Sequence, residues 1–527
     1  MVNTDWQSVV QKEVYEPLEA QFPDRPRNLA QVFLHSVRAY ADKTALVYEG
    51  EEISYRVFRE SVFRVADALR NDFGVEAGDR VAILLGSEPV FGISVWASAA
   101  IGAVVCPMNV RYQEQELKYQ LSQAEPKVIV ADAAVLDRIL QIQGELPSLR
   151  CIFATTESPP ENVLPFSVLT QRPVPSEHPF RSVAETDPAF IFYTSGTTGH
   201  PKGVINSQRA LIYSIQRARD ADPENGSSDV LCIPIPLHYT GGCKSFLSLT
   251  ARGGKCVLLK QWKIDDLLAA VEKYRVTNLF ALGSIWALAL SSPRFGSFDL
   301  SSIRSVLFGG SATPPSVIRQ VAEALPHARI VQGYGMTECN GGTVEEDAVR
   351  RPESSGLPSA TTQIRIVDPD EVDLPSGEVG QILIRNAQIF SGYWRDEDAT
   401  RASMCGGWYR TGDMGFLTEE GRLHLVGRAK DMIIRGQENV YPAEIESVIM
   451  RHPDIQEVAV IGVPDDVLFE KVKAFIVPKP ERIVSEEDVL RVCREHLAEY
   501  KVPEFIAIRL QPLPRNAGGK VAKKDLC

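Results

Sequence analysis

Short apolar runs alternate with longer segments of helical character along most of the chain. Residues 80–85 and 127–131 have the length and composition of buried strands, and residues 114–123 between them have the composition of a helix. Farther along, the same alternation predicts a helix over 264–274 and strands over 229–235, 255–259, 278–282 and 305–308. Strands that alternate with helices pair in parallel and carry helices on both faces of the sheet. The pattern therefore predicts a large α/β body with doubly wound sheets.

The pattern changes in the last third of the chain. Residues 363–425 contain short strand-like runs separated by turn residues, which predicts a β-rich subdomain packed against the body. After about residue 431, a helix near 443–450, strands over 455–462 and 472–477 and a helix over 485–499 predict a compact α+β unit. The charged segment GRAKD at 427–431 lies between the two parts. We therefore predict one domain over residues 1–428 and a second, smaller domain over 429–527.

One uncharged stretch, residues 89–110, is long enough to cross a bilayer. Gly92, Gly102 and Pro107 interrupt it, and the β-branched pair Val104 and Val105 follows a run of small helix formers. Uncharged segments of this kind also occur inside α/β cores. The interruptions favour a buried helix followed by a buried strand over a membrane span.

Composition narrows the class of protein further. The 527 residues include 56 Lys and Arg against 68 Asp and Glu, a net charge of −12, which argues against a nucleic-acid partner. The nine cysteines form no CxxC pair, and this scatter is typical of reduced thiols in a cytosolic protein. The first residues also lack the apolar core of a signal peptide. We expect a cytoplasmic globular protein of at least two domains.

The most informative motif is YTSGTTGHPKG at residues 193–203. It places the hydroxyls of Ser195, Thr197 and Thr198, three glycines and Lys202 directly after an apolar strand, a combination suited to holding a polyphosphate. A Walker A loop needs Gly and Lys adjacent with Ser or Thr next, whereas here Pro201 precedes Lys202 and Gly203 follows it. A flexible linker is the other alternative, but linkers rarely follow a buried strand. The motif predicts a phosphate loop of a different kind.

At this motif the sequence resembles the adenylate-forming superfamily of acyl-CoA synthetases, stand-alone adenylation enzymes and luciferases. The resemblance covers roughly residues 30–525. It implies an AMP-forming acid:CoA ligase, in which a carboxylate attacks ATP, pyrophosphate leaves and CoA accepts the acyl group, with Mg²⁺ as cofactor. The implied phosphate contacts are Thr194, Ser195, Gly196, Thr197, Thr198, Gly199 and Lys202. The segment FGGSATP at 308–314 matches the family's adenine-contacting loop, which implies contacts from Gly309, Gly310, Ser311 and Ala312.

A second motif of the family, QGYGMTE, occupies residues 332–338. Tyr334 can stack on a base, and Thr337 can reach an α-phosphate oxygen. Glu338 offers the hard oxygen ligand that Mg²⁺ requires. Because the motif follows a predicted strand, it lies where α/β proteins bind ligands. We therefore expect Thr337 and Glu338 to take part in catalysis and Glu338 to bind the metal.

The remaining motifs lie toward the C-terminus. Asp413 in WYRTGD can accept hydrogen bonds from both ribose hydroxyls, and it matches the family's ribose-binding aspartate. The resemblance makes Arg428 a second ribose contact and Lys430 the hinge of a mobile C-terminal domain. It makes Lys520, in PRNAGGK, the catalytic lysine of adenylation, although Gly518 stands where relatives usually carry serine. A cation at that position would stabilise charge developing on the α-phosphate.

The acyl pocket and the acceptor are less determined. The resemblance places His238 near the reacting carboxylate, although a packed core histidine is an equal alternative. Gly241, Gly242, Gly341 and Gly342 leave space, which favours a medium-sized or ring-bearing acid over acetate. A lysine on the helix surface is the favoured interpretation of Lys244, with a partner for a second acid group as the alternative.

Two acceptors of the acyl group remain open. Gly436 resembles the glycine that packs against pantetheine, which favours CoA. The alternative acceptor is the phosphopantetheine of a carrier protein. A luciferase-like oxidation is disfavoured because nothing in the chain indicates it. A non-catalytic nucleotide-binding protein is disfavoured because Lys520 and Glu338 are both present.

Overall fold

The computed structural model describes residues 6–21, 25–194, 201–221, 226–311, 313–435, 438–465, 467–515 and 521–526. Within these ranges the α-helices, in chain order, are α1 Trp6–Val10, α2 Glu16–Gln21, α3 Leu29–Ala39, α4 Tyr55–Asn71, α5 Pro89–Ala100, α6 Glu114–Ala124, α7 Leu136–Ile142, α8 Ser167–Thr170, α9 Gln208–Ala221, α10 Thr240–Ala251, α11 Ile264–Tyr274, α12 Gly283–Ser291, α13 Pro315–Ala324, α14 Glu397–Ser403, α15 Pro442–Ile449 and α16 Glu486–His496. A π-helical turn, Gln11–Tyr15, joins α1 to α2.

The first large sheet has seven strands and comes from the N-terminal part of the chain. Two strands of the other large sheet, β1 Thr44–Tyr48 and β2 Glu51–Ser54, precede it in sequence. The strands of the seven-stranded sheet are β3 Arg80–Leu84, β4 Val104–Pro107, β5 Val128–Ala131, β6 Cys151–Ala154, β7 Leu164–Pro165, β8 Pro188–Thr194 and β9 Lys202–Ser207. Their spatial order is β7-β6-β5-β3-β4-β8-β9. The pairings are parallel except for the antiparallel pair β8 and β9.

The second large sheet has nine strands. Strands β1 and β2 are joined by β10 Val230–Cys232, β11 Lys255–Leu258, β12 Asn278–Ala281, β13 Ser305–Phe308, β14 Arg329–Tyr334, β15 Thr343–Glu345 and β16 Leu357–Pro358. The order is β16-β15-β14-β13-β12-β10-β11-β1-β2, with antiparallel pairs only at the two edges. Strand β10 is shorter than the predicted 229–235 because Pro234 and Pro236 follow it, and proline has no N–H for the ladder.

Side chains that alternate along each strand divide the body into layers. Val81 and Ile83 of β3 face a core shared by both sheets, which also contains residues of α3, α4, α5 and α10. Ala82 and Leu84 face a second core with α6 and α7. The outer face of the nine-stranded sheet packs on α11, α12 and α13. Each sheet therefore carries helices on both faces, which confirms the predicted doubly wound α/β architecture.

The segment with turn-rich sequence forms an antiparallel sheet, as predicted. Its strands are β17 Thr362–Val367, β18 Gly380–Asn386, β19 Met404–Cys405, β20 Trp408–Leu417 and β21 Leu423–Arg428. They pair in the order β17-β18-β20-β19, and β21 also pairs with β20. Strand β21 ends at Arg428, the residue at which the sequence predicts the end of the large domain. The exact domain boundary stays a prediction.

The C-terminal unit is a small sheet with two helices on it. Its strands are β22 Ile433–Arg435, β23 Glu438–Val440, β24 Ile455–Asp465, β25 Phe469–Pro478 and β26 Phe505–Ile508. Ile445 and Ile449 of α15 and Cys493 of α16 pack on this sheet in a core of their own. Helix α16 begins after Ser485, whose hydroxyl accepts the N–H of Asp488 at 3.2 Å while the Asp488 carboxylate accepts the N–H of Ser485. The unit is the predicted small α+β domain.

The uncharged stretch at residues 89–110 is a buried helix, α5, followed by a buried strand, β4, as predicted. Among the described residues, no helix has the length and apolarity that crossing a membrane requires. The cysteines within the described ranges are free thiols, in agreement with the absence of a disulfide pattern in the sequence.

Candidate active site

Most of the described residues with predicted roles line one large cleft. The cleft lies between the nine-stranded sheet, the antiparallel sheet and the C-terminal unit, at the ends of several strands. The predicted site residues on its walls are Thr194, Lys202, His238, Gly309, Gly310, Ser311, Tyr334, Thr337, Glu338, Asp413, Arg428 and Lys430. They come from distant parts of the sequence, so the fold alone brings them together.

Several predicted residues lie outside the described ranges. They are the phosphate-loop residues Ser195, Gly196, Thr197, Thr198 and Gly199, together with Ala312, Gly436 and Lys520. Their roles stay predictions. The two ends of the phosphate loop are described, because Thr194 ends β8 and Lys202 begins β9, and these two residues are partners in the antiparallel ladder. The hairpin geometry therefore holds the two ends of the loop together at the cleft.

Asp413 is the centre of a cluster of three side chains in the site. The residue is 6% exposed, and its carboxylate accepts a hydrogen bond from the Tyr334 hydroxyl at 2.6 Å. The Arg428 Nε lies 2.6 Å from its other oxygen. Burial and the Asp413 charge hold the pKa of Tyr334 well above its usual range, so the tyrosine keeps its proton and acts as the donor. A carboxylate oxygen accepts hydrogen bonds from hydroxyl groups, so the chemistry of Asp413 suits a ligand diol.

The local sequence explains how this carboxylate is presented. Asp413 on β20 and Arg428 on β21 are directly paired residues of the antiparallel ladder, so the ion pair follows from the strand register. Gly412 has a φ of +70°, a conformation that residues with a Cβ rarely adopt, and the ladder shifts register just after it. The Thr411 hydroxyl accepts the N–H of Asp413 at 3.0 Å. The RTGD sequence therefore forms a bend that directs the carboxylate into the cleft.

Glu338 is a buried carboxylate that lies beyond the end of β14. It is 8% exposed, and one of its oxygens accepts the Tyr393 hydroxyl at 3.0 Å. Burial raises the pKa of Glu338, while hydrogen bonds to it and the Arg428 charge lower it. A carboxylate buried without a directly bonded cation gains stability when one binds. The chemistry of Glu338 therefore suits a hard cation.

The described residues contain no cluster of three or more His, Cys, Asp or Glu side chains that could enclose a metal ion. Mg²⁺ commonly binds one or two carboxylates, with substrate phosphates and waters as its other ligands. A single buried carboxylate beside a phosphate loop fits that mode of binding. Glu338 is therefore suited to hold Mg²⁺ together with a polyphosphate, not within a cage made of protein alone.

Thr337 contacts a residue that sequence analysis did not identify. Its hydroxyl lies 3.0 Å from the hydroxyl of Thr240, the first residue of α10. The two residues are far apart in sequence, and a lone threonine in PLHYTGG carries no signal of its own. The pair places two hydroxyl groups side by side on the wall of the cleft, next to Glu338.

Two further tyrosines support the Glu338 region, and no motif pointed to them. The Tyr393 hydroxyl donates to Glu338 and lies 3.5 Å from the Tyr409 hydroxyl, and both rings are buried. The Lys202 Nζ lies 4.9 Å from the centre of the Tyr393 ring. Tyr393 thus lies between Lys202 and Glu338. A sequence pattern could not reveal this contact because the three residues lie far apart in the sequence.

His238 is half-buried on the wall of the cleft beside Tyr239. Its Nε2 is buried and has no hydrogen-bond partner within the described protein, and its ring centre lies 4.2 Å from that of Tyr239. Burial, with a smaller effect of the Arg111 charge, lowers the pKa of His238 to about 3. The ring is therefore neutral at ordinary pH. It can accept or donate a hydrogen bond inside the cleft, but it does not contribute a positive charge there.

Two expectations about the acyl pocket are wrong in part. Lys244 does not lie on a helix surface; it is 8% exposed and faces the interior on α10. Gly242 does not enlarge the pocket either, because a Cβ there would lie 2.5 Å from the carbonyl oxygen of Pro236. Gly242 is required for the close approach of two backbone segments. Gly341 and Gly241 line the cleft, whereas Gly242 and Gly342 are buried behind its wall.

Comparisons with known proteins agree with this geometry. Residues 33–394 match the model of the AMP-binding enzyme family, and residues 444–520 match that of the AMP-binding enzyme C-terminal domain. The long-chain-fatty-acid–CoA ligase FadD13 of Mycobacterium tuberculosis is 34% identical over 88% of this chain and 90% of its own length. The indoleacetate–CoA ligase of Aromatoleum aromaticum is 33% identical, with coverage of 92% and 94%.

A solved structure is similar over nearly the whole fold. The crystal structure of the anthranilate CoA ligase AuaEII in complex with anthranoyl-AMP has a TM-score of 0.88 and 28% sequence identity. The similarity covers 96% of this chain and 98% of that one. The agreement therefore extends over the two sheets, the β-rich unit and the small C-terminal unit.

Proposed function

We propose that this chain, which belongs to the AMP-binding enzyme family and is an AMP-forming acyl-CoA synthetase, performs both of its half-reactions in the cleft described above. In the first half-reaction the substrate carboxylate attacks the α-phosphorus of ATP, which forms acyl-AMP and releases pyrophosphate. In the second, the CoA thiol attacks the acyl carbon and AMP leaves. No nucleophile of the protein is needed, because both nucleophiles are substrates.

The observation that best supports this proposal is the Tyr334–Asp413–Arg428 cluster on the cleft wall, near Thr337 and Glu338. Asp413 presents a carboxylate, an acceptor suited to the two ribose hydroxyls, and the Arg428 Nε contacts that carboxylate directly. The loop at Gly309, Gly310 and Ser311 forms a neighbouring wall of the cleft and is the expected place for the adenine ring. This arrangement gives the nucleotide a fixed end and leaves its phosphates toward Lys202.

The remaining residues act on the phosphates. Lys202 and the hydroxyl-rich loop bind the β- and γ-phosphates, and Thr337 binds an α-phosphate oxygen. Glu338 would hold Mg²⁺, which when bound would supply positive charge to the phosphates. Lys520 supplies a second positive charge to the α-phosphate during adenylation. His238 forms the wall beside the reacting carboxylate.

CoA is the acceptor that we propose, and Lys430 is the hinge about which the small unit turns between the half-reactions. Gly436 would then pack against the pantetheine arm. A carrier protein is the alternative acceptor, because its phosphopantetheine thiol is chemically the same as that of CoA. A cytoplasmic location, expected from the cysteine pattern, stays a prediction.

A panel of carboxylic acids tests the proposal. The purified protein is supplied with ATP, Mg²⁺ and each acid, and pyrophosphate and AMP are measured with and without CoA. The expected result is acid-dependent pyrophosphate release, with continuous AMP production only when CoA is present. Acid-dependent pyrophosphate release with no response to CoA would favour a carrier-protein acceptor. If no acid in a broad panel yields AMP, the proposed function is wrong.

A further inference from the structure

Two cationic side chains, one buried and one half-buried, lie in the acyl-pocket region of the cleft. Lys244 on α10 is 8% exposed, and its Nζ donates to the Asn206 Oδ1 at 2.6 Å. Arg217 on α9 is half-buried, and its Nε is buried without a hydrogen-bond partner. Both side chains line the cleft. They lie close enough for the Arg217 charge to lower the pKa of Lys244 further, in addition to the larger effect of burial.

Neither cation has an acidic partner in the part of the chain that the structure describes. No ion pair among the described residues involves Lys244 or Arg217. Elsewhere the same protein pairs its buried charges; the buried Asp229, for example, contacts Arg252 and Arg304. Two neighbouring buried cations without an anion are costly unless a ligand supplies one.

The side-chain amide of Asn206, which contacts Lys244, also has a hydrogen-bond donor without an acceptor. The Asn206 Oδ1 accepts hydrogen bonds from both the Lys244 Nζ and the Asn340 Nδ2, each at 2.6 Å. These two donors determine which amide atom is the oxygen, so the Asn206 Nδ2 must point away from them. That Nδ2 is buried and has no partner. Lysine has three N–H donors, and the described structure uses one on Asn206. The cluster therefore offers several unused donors and lacks acceptors.

The position of the cluster relative to the reacting groups is set by helix α10. Thr240, which contacts Thr337, is the first residue of that helix, and Lys244 comes four residues later. Residues four apart lie on the same helix face, separated along the axis by about 6 Å. A carboxylate that reacts near Thr337 and Thr240 would thus have the cations about one helical turn deeper in the pocket.

We propose that Lys244, Arg217 and Asn206 form a subsite for a second carboxylate, so that the acid activated by this enzyme is a dicarboxylic acid of short to medium length. This inference rests on the proposed function and names its substrate class. One carboxylate attacks ATP at the Thr337 end, and the other remains ionised between Lys244 and Arg217. Charge-assisted hydrogen bonds are about twice as strong as neutral ones, so the subsite discriminates strongly against acids that lack the second group.

Gly341 is part of the same arrangement. A Cβ at that position would lie 2.8 Å from the Arg217 guanidinium carbon, so the glycine provides the space in which the guanidinium lies. Burial also lowers the pKa of Arg217, as expected for a cation that has no anion in contact with it. Gly341, which the sequence predicts to leave space for a medium-sized or ring-bearing acid, therefore accommodates a charged side chain of the protein.

The test compares acids in matched pairs that differ only by the second carboxylate. Succinate is compared with butyrate, glutarate with valerate, adipate with hexanoate, and terephthalate with 4-methylbenzoate. Acid-dependent pyrophosphate release gives kcat/KM for each. We expect the best dicarboxylate to exceed its monocarboxylate partner by at least about tenfold in the unaltered enzyme, since loss of one buried charged contact has at least that effect. A monocarboxylate preference across all the pairs overturns the inference and leaves the proposed function intact.

Lys244→Met tests the residue itself, because methionine keeps much of the side-chain length without the charge. The dicarboxylate-to-monocarboxylate ratio is expected to fall about 30-fold or more, because only the dicarboxylate loses a charged contact. Lys273→Met, on the exposed face of α11, is the matched control and should leave the ratio unchanged. An unaltered ratio in Lys244→Met overturns the inference.

Binding provides a readout that does not depend on turnover. The best dicarboxylate should raise the melting temperature of the unaltered protein in the presence of ATP, and it should fail to do so in Lys244→Met. If no acid supports AMP formation, the proposed function fails, and this measurement alone decides on the subsite. Equal shifts in both proteins, or none in either, would count against it.

Discussion

Replacement of Asp413 by asparagine separates the ribose-binding role of this residue from its structural role. The carboxylate accepts the Tyr334 hydroxyl and contacts the Arg428 Nε, both at 2.6 Å, and it is the group proposed to accept the ribose hydroxyls. Asparagine keeps the size and one oxygen, but it loses the charge and replaces the other oxygen with a donor. At least one ribose hydroxyl would then lose its charged acceptor.

The size of the effect follows from the contacts. A hydrogen bond to a charged group contributes about 1.5–3 kcal/mol, so the KM for ATP should rise about 10- to 150-fold. The stability of the unliganded protein should fall by less. The Asp413 side chain is 8% exposed, but that of Arg428 is 41% exposed, so solvent screens the pair and compensates the arginine. We expect a loss of about 1 kcal/mol.

The assay is acid-dependent pyrophosphate release over a range of ATP concentrations, combined with urea unfolding. Asp373→Asn is the matched control, because Arg365 Nε contacts Asp373 at the same distance of 2.6 Å, on the same sheet but away from the cleft. The control should change neither the KM for ATP nor, by more than about 1 kcal/mol, the stability. An ATP KM within twofold of the unaltered value in Asp413→Asn, with stability reduced, would show that Asp413 is structural only.

Four further substitutions test other parts of the site. Glu338→Gln should reduce Mg²⁺-dependent pyrophosphate release by about 100-fold or more, and it should stabilise the unliganded protein at pH 8 more than at pH 4. The folded pKa of Glu338 is raised, so its stability contribution is lost as pH rises above the unfolded pKa. Lys520→Ala should reduce acid-dependent pyrophosphate release by about 100-fold, with a smaller loss when acyl-AMP and CoA are supplied. Lys430→Pro should slow the second half-reaction more than the first, because the hinge must turn between them. His238 has a folded pKa of about 3 against 6.5 unfolded, so its contribution is full above pH 6.5 and is lost as pH falls toward 3. His238→Asn should therefore flatten the dependence of unfolding midpoints on pH in that window.

Each of these substitutions has a contradicting result, and Lys520→Ala and His238→Asn also have control variants. Lys524→Ala, an exposed lysine near the same end of the chain, should leave both half-reactions unchanged. Equal loss in both half-reactions for Lys520→Ala would remove its special role in adenylation, and equal slowing for Lys430→Pro would argue against a hinge. His327→Asn, at an exposed histidine, should not change the pH profile. An unchanged profile in His238→Asn would contradict the burial argument, and an unchanged Mg²⁺ response in Glu338→Gln would exclude Glu338 as the ligand.

The architecture could be predicted from the sequence because local patterns carry it. Helix α11, Ile264–Tyr274, and strand β13, Ser305–Phe308, have the predicted bounds, since their apolar residues repeat with the period of the element and turn residues flank them. The motif residues Tyr334, Thr337 and Glu338 could be identified for the same reason. They are neighbours in sequence and follow a strand end, where α/β proteins place their sites.

The tertiary structure alone decided which groups meet. Tyr393 reaches Glu338, Thr240 reaches Thr337, and Arg217 approaches Lys244 across segments that no sequence spacing relates. The environment of Lys244 shows the limit most clearly. Local sequence predicts that a lysine lies on the surface, because lysine is rarely buried. The neighbouring residues in the sequence give no information about which elements pack over it. Burial and pairing are properties of the packed layers, whereas the periodicity of one segment determines only that segment.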